Sequence, residues 1–145
     1  MSEQTPIREP EMIPYGMKVA LLCLDAGPWR EAAKAYFTAQ GHYLLDEPEA
    51  AGAAASLRVN AVDVVIAHES KTEALEELHA RPGLKRRDTT LFVVGTKPSL
   101  DSWGAFLTGA DWLLAEADAP RAAELLAEGL KRQEAQREPW VLAQE

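Results

Sequence analysis

Short apolar runs and helical periods alternate five times along this chain, and few folds accept such a pattern. The first run, Lys18-Val-Ala-Leu-Leu-Cys-Leu24, is bounded by Asp25 and an Ala-Gly-Pro turn, as expected of a strand buried on both faces. Trp29, Ala32, Ala33, Tyr36 and Phe37 then fall at i, i+3, i+4, i+7 and i+8, which predicts an amphipathic helix over Trp29 to Gln40, stopped by Gly41. Tyr43-Leu-Leu45 reads as a second strand and the Ala-rich Pro48 to Leu57 as a second helix. Val62-Asp-Val-Val-Ile-Ala67 is a β-branched third strand, followed by a helix from Lys71 to about Ala80 with Ser70 placed to cap it. Thr89-Thr-Leu-Phe-Val-Val94, closed by Gly95, is the fourth strand; Ser99 or Asp101 is placed to cap a helix through Leu107. Trp112-Leu-Leu-Ala115 is the fifth strand. Asp118 and Pro120 then open a helix with Ala122, Leu125, Leu126 and Leu130 on one face. Strands separated by helices favour a parallel sheet covered on both sides, because right-handed crossovers lay a helix between successive strands.

The length of 145 residues suits one such domain. Residues 1–16 read as a flexible lead-in, 17–132 as the folded domain, and 133–145 as a polar tail that carries Pro139-Trp-Val-Leu142. With 15 Lys and Arg against 23 Asp and Glu, the formal charge is −8. That argues against nucleic acid and anionic lipid as partners, since both require a basic surface. One cysteine leaves no intrachain disulfide, and Cys23 within an apolar strand reads as a small buried hydrophobe. No apolar run reaches the roughly 18–20 residues that span a bilayer, and the first residues lack the pattern of an export signal, so a cytoplasmic setting is expected.

In order and spacing, four segments resemble the receiver domain of two-component response regulators over residues 17–132. They are Ala39-Gln-Gly-His-Tyr43, Val62 to His68, Leu84-Lys-Arg-Arg-Asp-Thr-Thr-Leu-Phe-Val-Val94, and Phe106-Leu-Thr-Gly-Ala-Asp111. The resemblance implies an α/β, flavodoxin-like, doubly wound sheet of five parallel strands in the order 2-1-3-4-5, with its site beyond the carboxyl ends of the strands. It also implies a phosphorylation site, and here the chain departs from the family. Receivers hold Mg²⁺ with two adjacent acidic residues after strand 1, and those positions fall on Leu24 and Asp25. The phosphoacceptor aspartate falls on His68, and the Ser/Thr ending strand 4 on Gly95, with Thr96 adjacent. The lysine ending strand 5 falls on Glu116, and the switch aromatic on Leu113.

These replacements remove what the chemistry requires. Transfer to a carboxylate needs an oxygen nucleophile, a cation on the phosphoryl oxygens and a donor that holds the product. A single Asp is a poor Mg²⁺ site, and Glu116 would repel a phosphoryl group where a lysine would attract it. The residues therefore point to a stand-alone pseudo-receiver: a non-enzymatic signalling adaptor that binds another protein, or a second copy, with no cofactor. Trp103, Phe106, Trp112 and Leu113 suggest an apolar docking face, and Trp140 a further contact, because tryptophan concentrates at interface hot spots. The competing expectation is that these indoles complete the domain's own core. The alternative functions are a ligand- or metal-binding module, or an enzyme, using Asp25, His68 and Glu116 in the strand-end crevice, or a subunit of a larger assembly. Spaced-glycine phosphate loops are absent, so no nucleotide cofactor is expected.

Overall fold

The buried runs form the strands in a computed structural model that describes residues 9–80, 88–96, 98–100 and 110–144, with residues 136–144 as backbone. In chain order the elements are β1 (Val19–Cys23), α1 (Pro28–Ala39), β2 (Tyr43–Asp46), α2 (Ala50–Val59), β3 (Val64–His68), α3 (Thr72–His79), β4 (Thr90–Gly95) and β5 (Trp112–Ala115). A 3-10 segment over Glu116–Arg121 leads into the last helix, here α4 (Ala122–Gln144). The five strands make one parallel sheet in the order β2-β1-β3-β4-β5, the flavodoxin-like order expected. The helix expected through Leu107, with Trp103 and Phe106, lies outside the described residues.

Alternation along the strands splits the core in two. Val19, Leu21 and Cys23 of β1 point toward α2 and α3, where they join Ala53, Leu57, Ala74 and Leu78. Ala20 and Leu22 point the other way, toward α1 and α4, and join Trp29, Phe37, Phe92, Trp112, Leu125 and Leu126. Gly129 lets α4 approach β4 closely: a Cβ there would stand 2.6 Å from Cε1 of the buried Phe92 ring.

Two aspartates pin the strands in register. Asp63, just before β3, donates its N–H to Val19 O (2.9 Å), and its Oδ2 accepts the Val19 N–H (2.7 Å). Asp111, just before β5, repeats the exchange with Leu91 at 3.0 and 2.7 Å. Each carboxylate satisfies an N–H at the start of a ladder that would otherwise be left unpaired. Asp63→Ala is expected to lower the unfolding free energy by about 1–3 kcal/mol, with Asp63→Asn milder because an acceptor oxygen remains. Urea denaturation checks this, and an Asp63→Ala curve overlying wild type would refute it.

The described parts of both flanking segments make defined structure. The lead-in is tied down from Glu11 to Ile13. Glu11 N–H donates to Asn60 Oδ1 (2.8 Å), its carboxylate accepts the Tyr43 hydroxyl (3.0 Å), and Ile13 packs on the core. The expected tail from Gln133 is helical backbone through Gln144. Gln133 to Glu138 is polar, but Gln, Glu, Ala and Arg are good helix formers, and Arg132 pairs with Glu128 one turn back at 2.9 Å. Among the described residues no helix is long and apolar enough to cross a membrane.

Candidate functional site

The register carries the strand ends to one rim. Cys23 lies beside Ala67, His68 beside Val94 and Gly95 beside Ala115, so Asp25, His68, Gly95 and Glu116 emerge along the same edge of the sheet. His68, the last residue of β3, is held at both ring nitrogens. Its Nδ1 lies 3.1 Å from the Ser70 backbone nitrogen and 2.9 Å from the Ser70 hydroxyl. A backbone N–H can only donate, so Nδ1 is an acceptor, and in the neutral ring the hydrogen sits on Nε2. Nε2 then donates to Glu116 Oε1 at 2.5 Å. Glu116 is itself anchored, because the Trp29 indole N–H donates to the carbonyls of Ala115 (2.9 Å) and Glu116 (3.1 Å). A core tryptophan of α1 thus positions the carboxylate that meets His68.

Asp25 has a different partner. Lys71, just before α3, places Nζ 2.6 Å from Asp25 Oδ1; the lysine side chain is only 12% exposed, the aspartate 76%. The hydrogen bond and charge of Lys71 hold the Asp25 carboxyl below its ordinary range, and the bond to Asp25 raises Lys71. The depressed carboxyl favours folding above the ordinary aspartate value near 3.9, and that contribution is lost as pH falls through its lowered value. The raised ammonium favours folding below the ordinary lysine value, a contribution lost only as pH rises through its raised one.

The remaining positions complete an acidic rim. Glu69 folds over Gly95, where an added Cβ would collide with the Glu69 carboxylate. Asp25, Glu69 and Glu116 thus bring three carboxylates to the strand-end rim, where Lys71 pairs with Asp25. Leu24 lies buried in the core and offers no ligand atom. Asp25, His68 and Glu116 do not converge as a metal site, since Lys71 occupies Asp25, and among the described residues no group of three or more His, Cys, Asp or Glu could hold an ion. Cys23 is buried, and burial pushes its thiol up to about 12, which leaves it without nucleophilic thiolate at neutral pH.

Two expectations are corrected here. Ser70 does not cap α3: its hydroxyl is spent on His68, and the N-cap position is Lys71, which makes no side-chain cap. Trp112 and Leu113 are not surface residues. At 6% and 3% exposure they sit on opposite faces of β5, one in each half of the core, so neither side chain can dock a partner. The helix that Ser99 or Asp101 is expected to cap lies outside the described residues; the Ser99 hydroxyl donates to Asp118 (2.6 Å) and accepts the Ala115 N–H (2.8 Å). The side chain of Trp140 lies outside the described residues. Ser70 and Lys71 were missed as site residues, although both follow a strand end within three residues, where side chains of this topology converge.

The fold has counterparts among solved structures. A CheY-like response regulator receiver domain protein from Methanospirillum hungatei JF-1 superposes with a TM-score of 0.61 at 19% identity, covering 83% of this chain and 99% of that one. The chemotaxis response regulator CheY4 of Vibrio cholerae gives 0.62 at 19% identity, over 81% and 98%. No protein-family model and no curated protein sequence matches the chain. The architecture is that of CheY-like receiver domains.

Proposed function

We propose that this chain is a degenerate receiver, a signalling adaptor that acts by binding another protein and takes no phosphoryl group. The observation that carries the reading is the bond from His68 Nε2 to Glu116 Oε1. These are the positions of the phosphoacceptor and the invariant lysine in the resemblance, and here the charges are exchanged: the base stands on β3 and the acid follows β5. The Lys71 ammonium on Asp25 supports the same reading, since it supplies internally the positive charge that a divalent cation would bring. Lys and Mg²⁺ would compete for one carboxylate, and the lysine is tethered. Trp103, Phe106 and Trp140 remain the proposed contact residues for a protein partner or a second copy, and Trp112 and Leu113 leave that set.

The test is a titration with Mg²⁺ and beryllofluoride, read by tryptophan fluorescence and melting temperature. Trp29 is a natural reporter because its N–H touches the Glu116 carbonyl. A ligand at 100 times its dissociation constant stabilises a fold by about 2.7 kcal/mol, a shift of several degrees. No shift is expected. A clear one, or a stable phosphoprotein after incubation with acetyl phosphate, would overturn the reading.

A further inference from the structure

The rim contains a side chain of the one type whose unperturbed charge change falls between about pH 5 and 8, and both its nitrogens are committed. In the neutral ring Nδ1 accepts from the N–H and the hydroxyl of Ser70, while Nε2–H donates to Glu116. A second proton can only go to Nδ1, and it converts that atom from acceptor to donor. The Ser70 hydroxyl can rotate and accept. The Ser70 amide cannot, because an N–H then faces an N–H at 3.1 Å. On the other side the bond to Glu116 gains a full positive charge and strengthens. One proton therefore tightens the link from β3 to the segment after β5 and breaks the bond from the Ser70 amide to the ring.

We propose that the input at this rim is a proton on His68, which releases the Ser70 amide while clamping the ring to Glu116. The charged groups around the ring come from three places. Among the described residues, Asp25 follows β1, Glu116 follows β5, and Glu69 and Lys71 belong to the ring's own loop; the adjacent end of β4 carries the uncharged Val94, Gly95 and Thr96. The freed amide adjoins Lys71, whose backbone N–H still donates to His68 O (2.9 Å) and whose Nζ grips Asp25. A change at Ser70 thus reaches the loop after β1 through the neighbouring residue. The inference does not depend on whether the chain docks a partner.

The experiment is an NMR titration of the full isotope-labelled chain from pH 5 to 8, following the His68 ring carbons and the amides of Ser70 and Lys71. The Ser70 amide should move with the same midpoint as the His68 ring. Glu116→Gln should lower that midpoint, because it removes a partner that the charged ring holds more strongly than the neutral one. His68→Gln should abolish the Ser70 transition, which separates it from any effect of His42 or His79. A His68 ring that titrates while the Ser70 amide stays still would overturn the proposal, as would a ring that keeps one charge throughout the range.

Discussion

Trp112→Ala is expected to lower the unfolding free energy by about 3–5 kcal/mol, the range for truncating a buried aromatic side chain. For a domain of this size that corresponds to a fall in melting temperature on the order of 10 °C. Trp112 is 6% exposed and lies beside Phe92 in the register of β4 and β5. Over the pair crosses α4 at Gly129, where a Cβ would come within 3.5 Å of the indole Cδ1 as well as meeting Phe92. The helix is too close to follow an emptied site without dragging its backbone, so a cavity stays. Trp112→Glu should be worse, since it leaves an unpaired carboxylate in apolar surroundings. Trp112→Phe should be mild by comparison, because the indole Nε1 is buried without a partner and its removal sheds an unsatisfied donor. Urea denaturation with light scattering decides the matter. If Trp112→Ala keeps full stability and changes only self-association or partner binding, the residue is a surface contact after all.

That contrast shows which parts of the molecule are legible from the residues. The strands of a sheet buried on both faces must be apolar throughout, so Val19–Cys23, Val64–His68 and Thr90–Gly95 stand out against their surroundings, and the strand order is implied by the resemblance to receivers. The same property hides which apolar residue faces a core and which faces a partner. Trp112 looks like a docking residue because tryptophan is common at interfaces, and only the approach of α4 at Gly129 shows that it is covered. At the rim, the resemblance to receivers implies an aspartate where His68 stands and a lysine where Glu116 stands. That the two replacements find each other is not legible there, since the Nε2 to Oε1 bond spans from β3 to the segment after β5, with β4 between. Ser70 shows the limit of local rules. A serine before a helix is an expected cap, but two residues after a histidine its hydroxyl has a competing acceptor, and the competitor wins. Asp63 and Asp111 escape notice for a related reason: each reads as an ordinary loop residue until the neighbouring strand supplies an N–H to accept.

Trp29→Phe should be the costly counterpart of Trp112→Phe, although the two indoles are equally buried and share one half of the core. The Trp29 N–H donates to two carbonyls, those of Ala115 and Glu116, at the point where β5 ends and the 3-10 segment begins. Phenylalanine fills most of the space but leaves both carbonyls without that donor, at a cost of about 1–3 kcal/mol, whereas Trp29→Ala adds a cavity and should reach about 3–5 kcal/mol. The effect should extend beyond stability. With its carbonyl freed, Glu116 loses the anchor that aims its carboxylate at His68, so the His68 ring in Trp29→Phe should bind its second proton less readily and show a lower midpoint than wild type. Thermal denaturation and the ring titration read the two consequences separately. Were Trp29→Phe as stable as Trp112→Phe, the paired carbonyl bonds would have no energetic weight. Were it destabilised with an unchanged His68 midpoint, the indole would support the core alone, and the orientation of Glu116 would be set by the 3-10 segment.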